Sequence, residues 1–303
     1  MSYIEDQRKK VIAIRDNVFR DPGGGVYRGK PREFVLQDAL LNLWDDIRDD
    51  ALAYFERYGI VWWADQGNHQ PTGHLLSSQV ACLNHLYFLR QRKDVATEIL
   101  KAIHPGIVEA VKVDDGFVEF EVVGCQNYLG EKSHKRGANA TSVDAVMLGK
   151  KADGRNVLVL IEWKYTEHYR TENKYIPARA NVYDRLLAEP DCPINVDQFE
   201  GLYYEPFYQL MRQTLLGWKM VQAGEYGCDE YLHLHVIPAA NKKLKELVTS
   251  PGLTGDSMSA AWQNVLRESA RYCVVSPEEF LLPGKACRDT AAMYAYLKRR
   301  YWE

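Results

Sequence analysis

The stretch SVDAVMLGKKADGRNVLVLIEWKY, residues 142–165, decides the fold. Its second half, NVLVLIEWKY (156–165), is the most apolar strand-like run of the chain. On a strand, Val157, Val159, Ile161 and Trp163 point one way, and Leu158, Leu160, Glu162 and Lys164 the other. Both faces are apolar until the end, the pattern of a strand covered on both sides and central in its sheet. The first half, SVDAVMLGK (142–150), is a second strand, and ADGR (152–155) is a hairpin-turn sequence. Folding the chain about Asp153 and Gly154 sets position 144 opposite about position 163. Asp144 then neighbours Glu162 and Lys164 to within one residue of register.

Charges at the rim of a buried strand are costly unless they are paired or bind something. Two neighbouring carboxylates repel, so a proton or a divalent cation belongs between them. Hard oxygen ligands with open water positions suit Mg²⁺ or Mn²⁺. An ion so held polarises a phosphodiester and lowers the pKa of its water. A lysine beside it orients that water or offsets transition-state charge. Asp144, Glu162 and Lys164 therefore point to metal-assisted phosphodiester hydrolysis. No GxSxG or supported Cys–His arrangement offers another hydrolase chemistry.

Working outward, residues 1–33 carry mixed charge and then the turn-rich DPGGGVYRGKPRE, whose three glycines read as a flexible loop. Helical periodicity spans 35–58, and IVWWAD (60–65) is a short apolar run of either type. Ser77 or Ser78 caps a further helix, and another covers 94–103. FVEFEVVG (117–124) alternates like a strand, so 117–165 reads as a three-strand meander. Residues 166–200 are polar, aromatic and irregular. A helix starts near Pro206 and ends before Gly224, and a strand covers 230–239. Helices at 240–248, 258–270 and 289–301 and a short strand at 272–276 complete the chain.

The totals agree with a globular enzyme. The 303 residues are 46% hydrophobic and 26% charged. The formal net charge of −3 excludes a strongly basic nucleic-acid coat protein, yet permits a local basic channel beside acidic metal ligands. The six cysteines form no CxxC pair and read as reduced thiols, not as a zinc knuckle or a disulfide framework. The charged N-terminus lacks a signal core, and no run approaches the roughly 20 apolar residues of a membrane span. The expectation is a cytoplasmic protein with no membrane contact.

SVDAVMLG, with Asp144, and LVLIEWKYTE, with Glu162, Trp163 and Lys164, resemble the two-strand signature of the PD-(D/E)xK, or restriction-endonuclease-like, nuclease superfamily. Val143 stands where the superfamily name has proline. SSQVACLN, RGANATSVDA and YQLMRQTLLG are similar to a bacterial group of restriction-endonuclease-like proteins, so the resemblance covers about residues 74–238. It implies an α/β, restriction-endonuclease-like core, a mixed central sheet flanked by helices. That core would span 74–240, after an N-terminal helical extension (1–73) and before C-terminal helical additions (241–303). It further implies that Asp144 and Glu162 bind the metal with the Trp163 carbonyl, and that Lys164 assists the attacking water. Glu121 or Glu98 would supply a further acid.

Gln209 and Gln213 are four apart on the helix after the ExK strand and share a face, which makes them auxiliary candidates. Lys135 and Arg136, in a basic loop before Asp144, and Arg212 are candidate phosphate contacts. His233 and His235 read as satisfied structural histidines, and Gln79 and Asn84 as buried structural amides. The expected activity is Mg²⁺- or Mn²⁺-dependent hydrolysis of DNA, endo or exo. Cutting both strands would favour a homodimer. The competing expectations are a catalytically silent nucleic-acid-binding protein of the same fold, and a nuclease for RNA or branched DNA.

Overall fold

The computed structural model describes residues 2–302 except 65, 66, 68, 138 and 139. Asp65 of the 60–65 run and Ala138 and Asn139 of RGANATSVDA thus lie outside the described residues. The hairpin forms where the turn chemistry requires it. Gly154 takes φ +90°, and the Lys151 N–H donates to the Arg155 carbonyl at 2.8 Å. The turn centres on Asp153, because Lys150 faces Asn156 and Ala145 faces Ile161. Asp144 therefore falls beside Glu162, one residue from the expected register.

In chain order the elements begin with α1 (Tyr3–Val18), a small hairpin of β1 (Gly25–Tyr27) and β2 (Lys30–Arg32), α2 (Asp45–Arg57), α3 (Ser78–Leu86) and α4 (Lys93–Ile103). Strands β3 (Ile107–Val111), β4 (Glu119–Val122), β5 (Val143–Lys151) and β6 (Asn156–Trp163) follow. Next come α5 (Pro177–Leu187), α6 (Phe207–Gln222), β7 (Glu230–Val236), α7 (Lys242–Glu246) and α8 (Met258–Asn264). The chain ends with β8 (Tyr272–Val275), α9 (Pro277–Leu281), α10 (Ala291–Leu297) and a π-helical turn over Lys298–Trp302.

The main sheet runs β3-β5-β6-β7-β8, with β4 also paired to β5. The β5–β6 pair is antiparallel, and β6–β7 and β7–β8 are parallel. This is a mixed α/β sheet flanked by helices. Along β6, Val157 to Trp163 are all buried, as the unbroken apolar run requires. Val157, Val159, Ile161 and Trp163 face one core with α3, α4 and the chain termini; Leu158 and Leu160 face the other with α6. No helix among the described residues is long and apolar enough to cross a membrane.

Several elements differ from the sequence reading. The glycine-rich loop is in part the β1–β2 hairpin, and charged residues 3–18 are a helix. The helix expected over 35–58 becomes a 3-10 turn at Ala39–Asn42 and then α2. β3 joins the meander, sharing one edge of β5 with β4. The irregular 166–200 stretch contains α5, which starts on Pro177 at its first turn. The later helices are shorter than expected, at 242–246, 258–264 and 291–297.

Candidate active site

Glu162 is the penultimate residue of the apolar strand β6, and Lys164 lies just past its end; they are 1% and 6% exposed. The Lys164 ammonium ion-pairs with Glu162 Oε1, an oxygen that takes no hydrogen bond. Burial opposes the lysine charge, but Glu162, Tyr169, Glu167 and Asp144 outweigh it and hold the ammonium well above its ordinary pKa. Lys164 Nζ also donates to Gln209 Oε1 at 2.6 Å and lies 5.9 Å from the Tyr169 ring centre.

Asp144 reaches the same place from β5. It is partly exposed, and its Oδ2 accepts the Trp163 N–H at 2.7 Å. Lys164 N–H bonds Val236 on the opposite edge, so the N–H and C=O of Trp163 both leave the strand toward Asp144. Burial, then Glu162, then Glu121 push the Asp144 carboxyl well above the usual carboxylate range. The aspartate thus resists ionising in an already acidic, partly dry corner.

Glu121 joins from β4. By register it sits between Phe120, opposite Ala145, and Val122, opposite Val143, and so beside Asp144. Its φ is +51°, an unusual value for a non-glycine residue inside a strand. Gln79 Nε2 donates to Glu121 Oε1 at 2.8 Å, and Ser142 Oγ to Oε2 at 3.1 Å. Burial raises the pKa of Glu121, those two hydrogen bonds lower it, and Glu162 raises it. Between the two acids left open by sequence, Glu121 is in the cluster. Glu98 is not: it is exposed on α4 and paired with Lys101 at 2.9 Å.

Helix α6 covers this corner. A Cβ at Gly217 would collide with the Leu160 side chain, so the glycine lets the helix lie against β6. That approach brings in both glutamines. Gln213 Nε2 donates to Glu162 Oε2 and, at 2.9 Å, to the Ser142 carbonyl. Gln209 holds Lys164. Arg212 instead packs 4.6 Å from the Tyr208 ring and directs Nη1 toward Thr141 Oγ1 at 3.4 Å.

The basic loop divides. Lys135 is exposed, whereas Arg136 turns inward, donating to the Phe120 carbonyl and lying 4.9 Å from the Tyr58 ring. The amides divide too. Asn84 is structural, bridging the Trp44 N–H, the Asn42 carbonyl and Tyr301, while Gln79 steers Glu121. Sequence reasoning missed Gln79 and Ser142 as site residues; neither carries a spacing signal. His233 and His235 face the α6 side and bond Thr214 at 3.1 Å and Tyr272 at 3.0 Å through Nδ1. Their buried Nε2 atoms take no hydrogen bond, so they are only half satisfied. His235 lies in register with Glu162 on the next strand.

Among the described residues, no three His, Cys, Asp or Glu side chains gather closely enough to hold an ion by themselves. Two carboxylates and the Trp163 carbonyl form a smaller, all-oxygen donor set, which suits a hard divalent cation. The carboxyl–carboxyl repulsion that raises the Asp144 pKa fits the same chemistry.

A family model described as Restriction Endonuclease associating with ARP matches residues 5–302. The chain belongs to that family. The match runs from α1 to the last turn, so helices on both sides of the sheet are part of the family's extent. Membership of a restriction-endonuclease family suggests a nuclease. No curated protein and no solved structure matches.

Proposed function

We propose that the chain is a Mg²⁺- or Mn²⁺-dependent nuclease that hydrolyses DNA phosphodiester bonds. The observation that carries this reading is the meeting of Asp144, Glu162 and Lys164 at one end of the β5–β6 hairpin. Asp144, Glu162 and the Trp163 carbonyl would hold the ion, with Glu121 as the added acid. When bound, the ion supplies a Lewis acid and a water of lowered pKa. Lys164 stays protonated beside Glu162 and places its positive charge against the phosphate and the attacking water. Gln209 fixes the ammonium and Gln213 fixes the Glu162 carboxylate, so neither must reorganise during the reaction. Lys135 offers a phosphate contact from the loop before β5. Cutting both strands would need two such corners, which a homodimer supplies. The family's described association with ARP is carried over as a partner of this chain.

The test is cleavage of plasmid, linear and single-stranded DNA with Mg²⁺ or Mn²⁺, and of RNA alongside, by the wild type and by Asp144→Ala and Lys164→Ala. Metal-dependent DNA cleavage lost in both variants is the expected result. Inactivity of the wild type on every nucleic acid would overturn it.

A further inference from the structure

On the far side of the β6 end from the acids lies a crevice of about 300 Å³. Lys164 lines it, so one strand end serves both the crevice and the acid cluster. Its walls are aromatic. His85 lies 4.6 Å from the Trp163 ring and 4.5 Å from Tyr301, with Trp302 at 5.9 Å. His85, Trp163 and Tyr301 are buried and back the crevice, whereas Trp302 is partly exposed on it. The Trp302 indole N–H donates to His85 Nε2 at 3.2 Å, and His85 Nδ1 bonds the Ala81 carbonyl at 2.6 Å. Burial holds His85 neutral, with its pKa pushed down to about 3.

Polar groups also line the crevice. Glu278 Oε2 is buried and takes no hydrogen bond. Gln7 accepts the Tyr165 hydroxyl on Oε1 at 2.9 Å, and Lys10 lies on the same lining, where its charge opposes the burial that raises the Glu278 pKa. Tyr3 of α1 completes the lining on that side. The volume stands at the small end of the ~300–1,000 Å³ range of ligand sites. It admits one ring system and no duplex. The partly exposed rings of Tyr3 and Trp302, with the Glu278 carboxylate, the Gln7 amide and the Lys10 ammonium, are the complement of a nucleobase face and edge.

We propose that this crevice receives one extruded base of the substrate strand, from the nucleotide beside the cleaved phosphate. The proposal rests on the nuclease reading, because Lys164 links the two sites. The base stacks on the partly exposed rings of Tyr3 and Trp302, its ring or exocyclic N–H donates to Glu278, and Gln7 donates to a base carbonyl. One strand end would then read a base on one face and cut its phosphate on the other.

The experiment measures binding of single-stranded oligonucleotides by the full chain in EDTA, with cleavage assayed separately in Mg²⁺. One oligonucleotide is intact, and one series carries a single abasic site at successive positions. The wild type is expected to lose about tenfold in affinity when the abasic site reaches one position, as loss of a stacked base predicts. Tyr3→Ala should bind both oligonucleotides equally, and Glu278→Gln should narrow the difference between them by several-fold. The near-isosteric Glu278→Gln keeps the test sound if Tyr3→Ala misfolds, and a thermal melt checks each. Equal affinity at every abasic position, with cleavage intact, would overturn the crevice and leave the nuclease reading standing. Absence of both binding and cleavage would overturn both. Competition by free nucleoside monophosphates at an affinity matching the oligonucleotide would make the occupant a free nucleotide and overturn the substrate-strand assignment.

Discussion

Glu119 and Glu121 stand two residues apart on β4, both buried, and they live in opposite electrostatic worlds. Glu119 takes Arg90 at 2.6 Å on one oxygen and the Tyr54 hydroxyl at 2.6 Å on the other. Arg90 also pairs with Asp115 and lies 4.2 Å from the Tyr54 ring, and Arg136 stands 4.0 Å from Glu119. Burial raises the Glu119 pKa, and Tyr54 and Arg90 oppose it. Glu121 takes only neutral donors and faces Asp144 and Glu162, with Lys164 the cation paired to Glu162. The first cluster has a cation for its buried acids and holds the helical layer to the sheet. The second sets Asp144 and Glu121 beside Glu162, with Lys164 paired to Glu162 and Arg136 a more distant charge on Glu121. Balanced charge holds the first acids ionised, whereas crowding of carboxyl groups in a dry corner raises the pKa of Asp144 and Glu121.

Experiments can break that contrast, beginning with the largest effect. Asp144→Ala should lower the DNA cleavage rate by about a thousandfold or more, near 4 kcal/mol of barrier, while the melting temperature holds. A cleavage rate within tenfold of wild type would remove Asp144 from the reaction. Arg90→Ala should do the reverse. Stranding buried Glu119 costs about 3–5 kcal/mol, which lowers the melting temperature by about 10 °C. A shift under about 2 °C would mean that the Arg90 cluster is not holding the fold.

Gln213→Ala should reduce cleavage about tenfold through looser placement of Glu162, about 1.4 kcal/mol. A pure rise in KM at constant kcat would argue against that role. The smallest effect is a gain. Asp144→Asn removes one of the repelling acids and should stabilise the metal-free protein by about 1 kcal/mol at neutral pH. The Asp144 pKa is raised on folding, so its favourable contribution is present at low pH and lost as pH rises through the folded value. The advantage of Asp144→Asn should therefore shrink as pH falls, read by melts across pH. An advantage that grows toward acid would contradict the acidic-corner reading.

The hairpin and its acids were legible because their signals are local. An apolar period of two, an Asp-Gly turn and a charge break at Glu162 all lie within 24 contiguous residues, 142–165. The register missed by one because the turn centre shifts by half a residue without any change in composition. Glu121 and Glu98 looked alike along the chain. Only the pairing of β4 with β5 separates an acid beside Asp144 from one on a solvated helix. Arg136 looked like a phosphate contact, and its capture by Phe120 and Tyr58 depends on where the loop lands.

By itself the sequence determined the restriction-endonuclease-like signature, the central buried strand, and three chemically apt residues at its end. Their periodicity and turn chemistry are properties of neighbouring residues, which any fold of this chain must respect. Only the tertiary structure decided that Gln79 and Ser142 hold Glu121, that Gly217 admits the α6 glutamines, and that Trp302 lines a crevice beside Trp163. Those partners lie up to 217 positions apart, as Trp302 and His85 do. Their contacts follow from how layers pack, and packing is a property of the whole chain.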